Sequence, residues 1–203
     1  MRTLKTVIIF AFFGICFMHS TAKAFTDLSA CLVAQDIGIF KFDSKTARMG
    51  SASGIVGLTG HFQDHADQIC TGDYSNIDEV KGLPDEEAYE KIFTVEVQVT
   101  QHAGTDSDKW LLHEVEDGYR DGEMESLGRL TDGAILRKID SNKVFWLGLG
   151  GGSFTWLNNN VVVKISYIDL QGMKQEPIEV VQAYLQKYPS TIPSTLILDK
   201  AHD

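Results

Sequence analysis

After its first two dozen residues the chain has no apolar run long enough to cross a bilayer, which takes about 20 residues. Positive charge is also scarce: 18 Lys and Arg stand against 28 Asp and Glu, a formal net charge of −10. Nucleic acid and anionic lipid are bound by clustered Lys and Arg, so the balance argues against both as partners. There are three cysteines, and none has CxxC spacing, which argues against a dithiol redox catalyst or a cysteine zinc site. With four prolines, no internal repeat and no low-complexity linker, nothing divides the chain, and one domain is the expectation. No G-x-S-x-G elbow is present to raise a serine nucleophile, and Ser51 and Ser53 have no assigned base. Gly148-Leu149-Gly150-Gly151-Gly152-Ser153 lacks the Lys-Ser/Thr ending of a phosphate loop and reads as a hairpin break. No cofactor is expected.

The N-terminus carries three features in order. Arg2 and Lys5 are positive, Val7 to Met18 is an apolar run of 12 residues, and Ala22-Lys23-Ala24 is the small-x-small pattern cut by signal peptidase. Residues 1–24 therefore read as a secretory signal peptide, and residues 25–203 as a single soluble domain in the periplasm or outside the cell. No integral membrane segment is expected after cleavage. Phe13-Gly14-Ile15 before Cys16 does not make a lipobox. Loss of Arg2, Lys5 and Lys23 takes the net charge from −10 to −13. A domain of this length buries roughly 70% of its unfolded surface. Cys31 and Cys70 remain, and an even pair in an oxidising compartment points to a disulfide.

Patterning predicts an α+β fold: an antiparallel sheet with a C-terminal meander, flanked by helices. A first helix is expected over 26–36, with Thr26 or Asp27 as its cap. Ile37 to Phe42 alternates partly and suits a strand, and Lys45 to Gly60 reads as loop. His61 to Cys70 fits either a helical stretch or a strand pair. A short helix spans 84–91. Phe93 to Thr100 is the cleanest strand, with Phe93, Val95, Val97 and Val99 on one face. A helix over 106–117 follows. Strands then run over 135–139, 143–149, 153–157 and 161–168, with turns at Asp140-Ser141-Asn142 and Asn158-Asn159-Asn160. Glu176-Pro177 opens a last helix to Lys187, with Ile178, Val181, Leu185 and Tyr188 at helical spacing.

Three groups bear on chemistry. His61 and His65, four apart, face the same way on a helix and can flank a zinc ion. The string His61-Phe62-Gln63-Asp64-His65 is similar to the inverted zinc-protease motif H-x-x-E-H, with the shorter Asp64 in place of Glu. A metal-dependent hydrolase built on this pair is the alternative function, although no third ligand is identifiable: His102, His113, Glu114 and Glu116 are merely available. Glu114, Glu116, Asp117 and Asp121 beside His113 read as a solvated helix face. Trp146, Phe154 and Trp156, with Phe145 and Tyr167, are either core or an outward platform for a ligand or partner. Core is the expectation for rings of this size. No catalytic set emerges. The main reading is an exported, non-catalytic domain that binds a protein partner or a small molecule.

The layout also resembles the small exported domains of LpqN-type lipoproteins, related in fold to the PsbP and Mog1 proteins. The similarity rests on Asp27-Leu28-Ser29-Ala30-Cys31-Leu32, Cys70 before Tyr74, the strand Phe93 to Thr100, Leu130-Thr131-Asp132-Gly133-Ala134, and Trp156 to Val163 before a closing helix. It implies an antiparallel sheet with flanking helices, and no catalytic residue to carry over.

Overall fold

Side chains alternate across a strand, so Val95, Val97 and Val99 must share one face. In the computed structural model all three are fully buried, on strand β3 (Thr94–His102) at the centre of a seven-stranded sheet. The structure describes residues 24–50, 66–102, 111, 135–148, 152–168 and 175–192. The other strands are β1 (Lys41–Gly50), β2 (Ala66–Ser75), β4 (Ile135–Ile139), β5 (Asn142–Leu147), β6 (Gly152–Asn158) and β7 (Val161–Tyr167). Their spatial order is β1-β2-β3-β7-β6-β5-β4, and every pairing is antiparallel. The expected meander is β4 to β7. A second meander, β1 to β3, joins it through the β3–β7 pair, where Val97 lies opposite Ile165 and Val99 opposite Val163.

Among the described residues the helices are few and short: α1 (Leu28–Cys31), α2 (Ile77–Val80), α3 (Asp85–Lys91) and α4 (Ile178–Lys187). The described fold is therefore mostly sheet. Of the helix expected over 106–117, only Leu111 is described; it is helical and buried. Among the described residues no helix is long and apolar enough to cross a membrane.

Three segments differ from the sequence reading. Ile37 to Phe40, expected within a strand, is a tight turn closed by the Ile37–Phe40 bridge with Gly38 at φ +55°, and the strand begins at Lys41. Lys45 to Gly50, expected as loop, belongs to β1, an edge strand whose pairing with β2 shifts register between Asp43 and Arg48. That irregularity breaks the alternation, and charge on an edge deters pairing with other chains, so the segment looks like loop in sequence. The helix expected over 26–36 stops at Cys31. Its free carbonyls are satisfied from outside: Lys187 Nζ donates to Ser29 O and Leu32 O, and the Tyr188 hydroxyl donates to Cys31 O at 2.9 Å and Ala30 O at 3.2 Å. Further turns are not needed to pair them. Asp27 caps the helix as expected, accepting from Ala30 N at 2.9 Å. Ser29 Oγ and Ala30 N hold its carboxyl below the usual range.

The face of β3 that carries the valines packs against α4, whose Val180, Val181, Tyr184 and Leu185 are buried. Cys31 and Cys70 form a fully buried disulfide that ties α1 to β2. Around it the Tyr74 hydroxyl donates to Val33 O at 2.6 Å, and Val33 N donates to the Tyr184 hydroxyl at 3.0 Å. The two hydroxyls meet at 2.8 Å, so Tyr184 supplies the proton between them. Burial pushes Tyr184 up to about 12, and it raises Tyr74 and Tyr188 as well. Gly72, on the core face of β2, has no side chain because Leu32 is already there: a Cβ would sit 2.9 Å from Leu32 Cδ1.

Candidate functional site: an arginine held between aromatic rings

Opposite residues of an antiparallel pair share a face. Arg137 lies opposite Val144, Trp146 opposite Phe154, and Phe154 opposite Ile165, so all of these project to the face covered by α4. Aromatic rings line up along that face, from Phe40 just before β1 toward β4. Phe40 and Phe93 lie 5.7 Å apart, Phe93 and Tyr167 5.8 Å, and Tyr167 stacks on Phe154 at 6.1 Å. Trp146 closes the row, its indole N–H donating to the Tyr167 hydroxyl at 3.3 Å. Gly152, opposite Tyr167, leaves room for that ring. A Cβ there would fall 2.3 Å from the Tyr167 oxygen and 2.5 Å from Cζ.

Arg137 enters this row from the edge strand. Its guanidinium carbon lies 5.3 Å from the Trp146 ring centre and 5.4 Å from that of Phe154, both within cation–π range. Its two terminal nitrogens donate to the two oxygens of Glu176, at 2.7 Å and 2.9 Å. This is a parallel two-bond fork, the geometry in which guanidinium recognises carboxylate. The Glu176 bond pushes the Arg137 pKa up. Arg137 and Glu176 remain 33% and 24% exposed, so the pair borders solvent and is not sealed in the core. Trp146 is half-buried.

The β4–β5 hairpin is also locally cationic. Arg137, Lys138 and Lys143 face only Asp140 within residues 135–147, in a chain with a net charge of −10. The hairpin turn places Asp140 and Ser141 at φ +46° and +70°, which fixes the register that sets Arg137 opposite Val144.

Of the aromatic platform considered from sequence, Phe154 and Trp156 are both fully buried. That corrects the surface reading for these two. Trp156 donates its indole N–H to Tyr188 O at 2.7 Å, so its one polar atom is spent inside the fold. Trp146 is left as the ring that borders solvent. The Cys31–Cys70 bridge is formed. His61, Asp64 and His65 lie outside the described residues, as do Ser51, Ser53, His113, Glu114, Glu116, Asp117 and Asp121. His102, one of the available third ligands, is buried at the end of β3. Among the described residues no group of three or more His, Cys, Asp and Glu is placed to hold a metal ion.

The sequence reading did not single out Arg137. Its partner lies 39 residues away, and only one signal marked it: an arginine at the middle of Ile135-Leu136-Arg137-Lys138-Ile139, on the same alternation as the two isoleucines. A second polar group lies on the sheet face away from α4. Asp73 and Glu96 are directly opposite across β2 and β3. Desolvation, and then the Asp73 carboxylate, raise the Glu96 pKa, with Lys164 opposing. Comparison with protein-family models, with curated proteins and with solved structures finds no match.

Proposed function

We propose that this chain is exported, loses residues 1–24, folds as a single domain over 25–203, and acts as a non-catalytic binding domain that grips a protein partner through the β4–β5 hairpin. The observation that carries the reading is Arg137, whose fork is braced by two rings and borders solvent on a cationic hairpin of an acidic chain. Interfaces draw their energy from Arg and Trp anchors of this kind. The buried disulfide fits an extracellular or periplasmic location, where such bonds persist. Phe25, the residue after the expected cut, packs against the core. Its N–H donates to Gln68 Oε1, and its carbonyl accepts from Gln68 Nε2 at 3.2 Å. A chain starting at Phe25 thus has a fixed seat. The LpqN-type resemblance stays a proposal about kinship, supported by the antiparallel sheet and closing helix alone.

The test is affinity capture from envelope extract with wild type, Arg137→Ala and Arg48→Ala, each partner being identified and rebound in purified form. Arg48 is exposed on β1, at the other edge of the sheet. A partner lost with Arg137→Ala and kept with Arg48→Ala supports the reading. A purified partner that binds all three equally overturns it.

A further inference from the structure

Taking the hairpin patch as the binding surface, we propose that Arg137 is a receptor for a glutamate side chain of the protein partner, and that Glu176 occupies it as an internal competitor which the partner displaces. The ligand class follows from the occupant. Glu176 fills the fork with both carboxylate oxygens, at 2.7 Å and 2.9 Å, so the site is shown to accept a glutamate in two-bond geometry.

Displacement is feasible because the two partners are held differently. Arg137 is fixed by the β4 backbone and by the Trp146 and Phe154 rings, all of which persist when Glu176 leaves. Glu176 belongs to no strand or helix: it precedes Pro177, the cap of α4, and Ile178 N donates to its carbonyl at 2.8 Å. Both members of the pair are reachable from water. Lys138, exposed on β4, and Lys143, opposite Lys138 on β5, project from the other face of the hairpin and contribute its net positive charge, which favours an incoming acidic segment over a neutral one.

An occupied receptor binds with an affinity reduced by the fraction of time it is open. Glu176→Gln removes the competing charge and keeps the side chain's shape. The probe is a capped peptide with one central glutamate, against its glutamine counterpart, titrated into the full mature chain. The readout is the indole N–H resonance of Trp146, assigned by its loss in Trp146→Phe. The glutamate peptide should move that resonance in Glu176→Gln with an affinity roughly tenfold tighter than in wild type. The glutamine peptide should not move it, and Arg137→Met should abolish the response. Arg137→Lys, which keeps the charge and the ring contact, should weaken it, covering the case in which Arg137→Met fails to fold. Equal affinity in wild type and Glu176→Gln, equal response to the two peptides, or full binding by Arg137→Lys would each overturn the proposal. A captured partner that depends on Arg137 but binds Glu176→Gln no more tightly would sink the competitor and leave the patch standing.

Discussion

Tyr184→Phe tests the tie between α4 and the N-terminal segment by removing one oxygen atom. In the native fold that oxygen accepts from Val33 N at 3.0 Å and gives its proton to Tyr74 at 2.8 Å. Phenylalanine keeps the ring and its edge-on contact with Tyr74, whose centroid is 6.2 Å away. What is lost is the acceptor of one amide and the donor to one buried hydroxyl. Leaving such groups unpaired costs about 1–3 kcal/mol. For a domain of this size about 2 kcal/mol corresponds to a fall in Tm of roughly 4–8 °C. Urea unfolding followed by far-ultraviolet dichroism gives the free energy directly. Tyr74→Phe should cost a similar amount, because Val33 O then loses its donor. The double variant should cost less than the sum by about 0.5 kcal/mol or more, since both changes break the same contact. Alkaline titration adds a second readout. Tyr184 is pushed up to about 12 in the fold, whereas an unfolded phenol titrates near about 10. Its contribution is therefore intact below the unfolded value and fades as pH climbs toward 12, and Tyr184→Phe should lose less stability over that window. A cost below about 0.5 kcal/mol, with strict additivity in the double variant, would refute the shared network.

Opening the Cys31–Cys70 bridge, which spans 39 residues, should lower stability by about 4 kcal/mol on the chain-entropy estimate, measured as urea midpoints of the native chain and of Cys31→Ser/Cys70→Ser. Gly152→Ala should cost about 1–3 kcal/mol, because Tyr167 cannot keep its place 2.3 Å from the new methyl. The same change should also move the Trp146 indole resonance, and an unmoved resonance would contradict the contact. The Glu96 pKa is raised in the fold by desolvation and by Asp73, so its penalty is absent below the unfolded carboxylate range and develops as pH rises through the folded value. Glu96→Gln should therefore gain stability at neutral pH, with the gain vanishing in acid. Asp73→Asn should lower the Glu96 pKa by NMR titration.

The legible parts of the fold were those where burial is one-sided and unbroken. β3 alternates cleanly because one of its faces packs on α4, and the C-terminal hairpins announce themselves through Asp and Asn at left-handed turn positions, Asp140 and Asn159. β2 was ambiguous for a specific reason. Its core-face sequence is Cys70, Gly72, Tyr74, and the glycine hides the alternation because Leu32, the residue after α1, fills its place. The extent of α1 was misjudged because its C-terminal carbonyls are satisfied by Lys187 and Tyr188, some 158 residues away in the case of Ser29 and Ala30. For the candidate site, Trp146 and Phe154 were visible as aromatics, but which face they occupied was not. That depended on the β5–β6 register, and the sequence around the glycine break leaves it open.

The position of Arg137 follows from where the covering helix runs out. Tyr184 reaches Tyr74 and Tyr188 reaches Cys31, so the later turns of α4 secure the disulfide-linked segment and β2. Its entry, at Glu176, reaches the opposite edge strand through an ion pair, and Gln182 donates to Asp140 in the adjoining hairpin turn. An edge strand under a helix end cannot be closed by apolar packing alone, because water reaches it from the side. Guanidinium suits that border: its carbon lies over the Trp146 and Phe154 rings while its nitrogens stay paired with a carboxylate. The same compromise leaves the fork satisfied by one exchangeable carboxylate and not by a buried network. A methionine at 137 would cover the rings nearly as well, and the loss of a partly exposed ion pair is small, so stability alone gives little reason for an arginine there. Arg137→Met should accordingly unfold within about 1 kcal/mol of wild type. A loss of several kcal/mol would instead make the pair a structural clamp and remove the ground for treating it as a binding site.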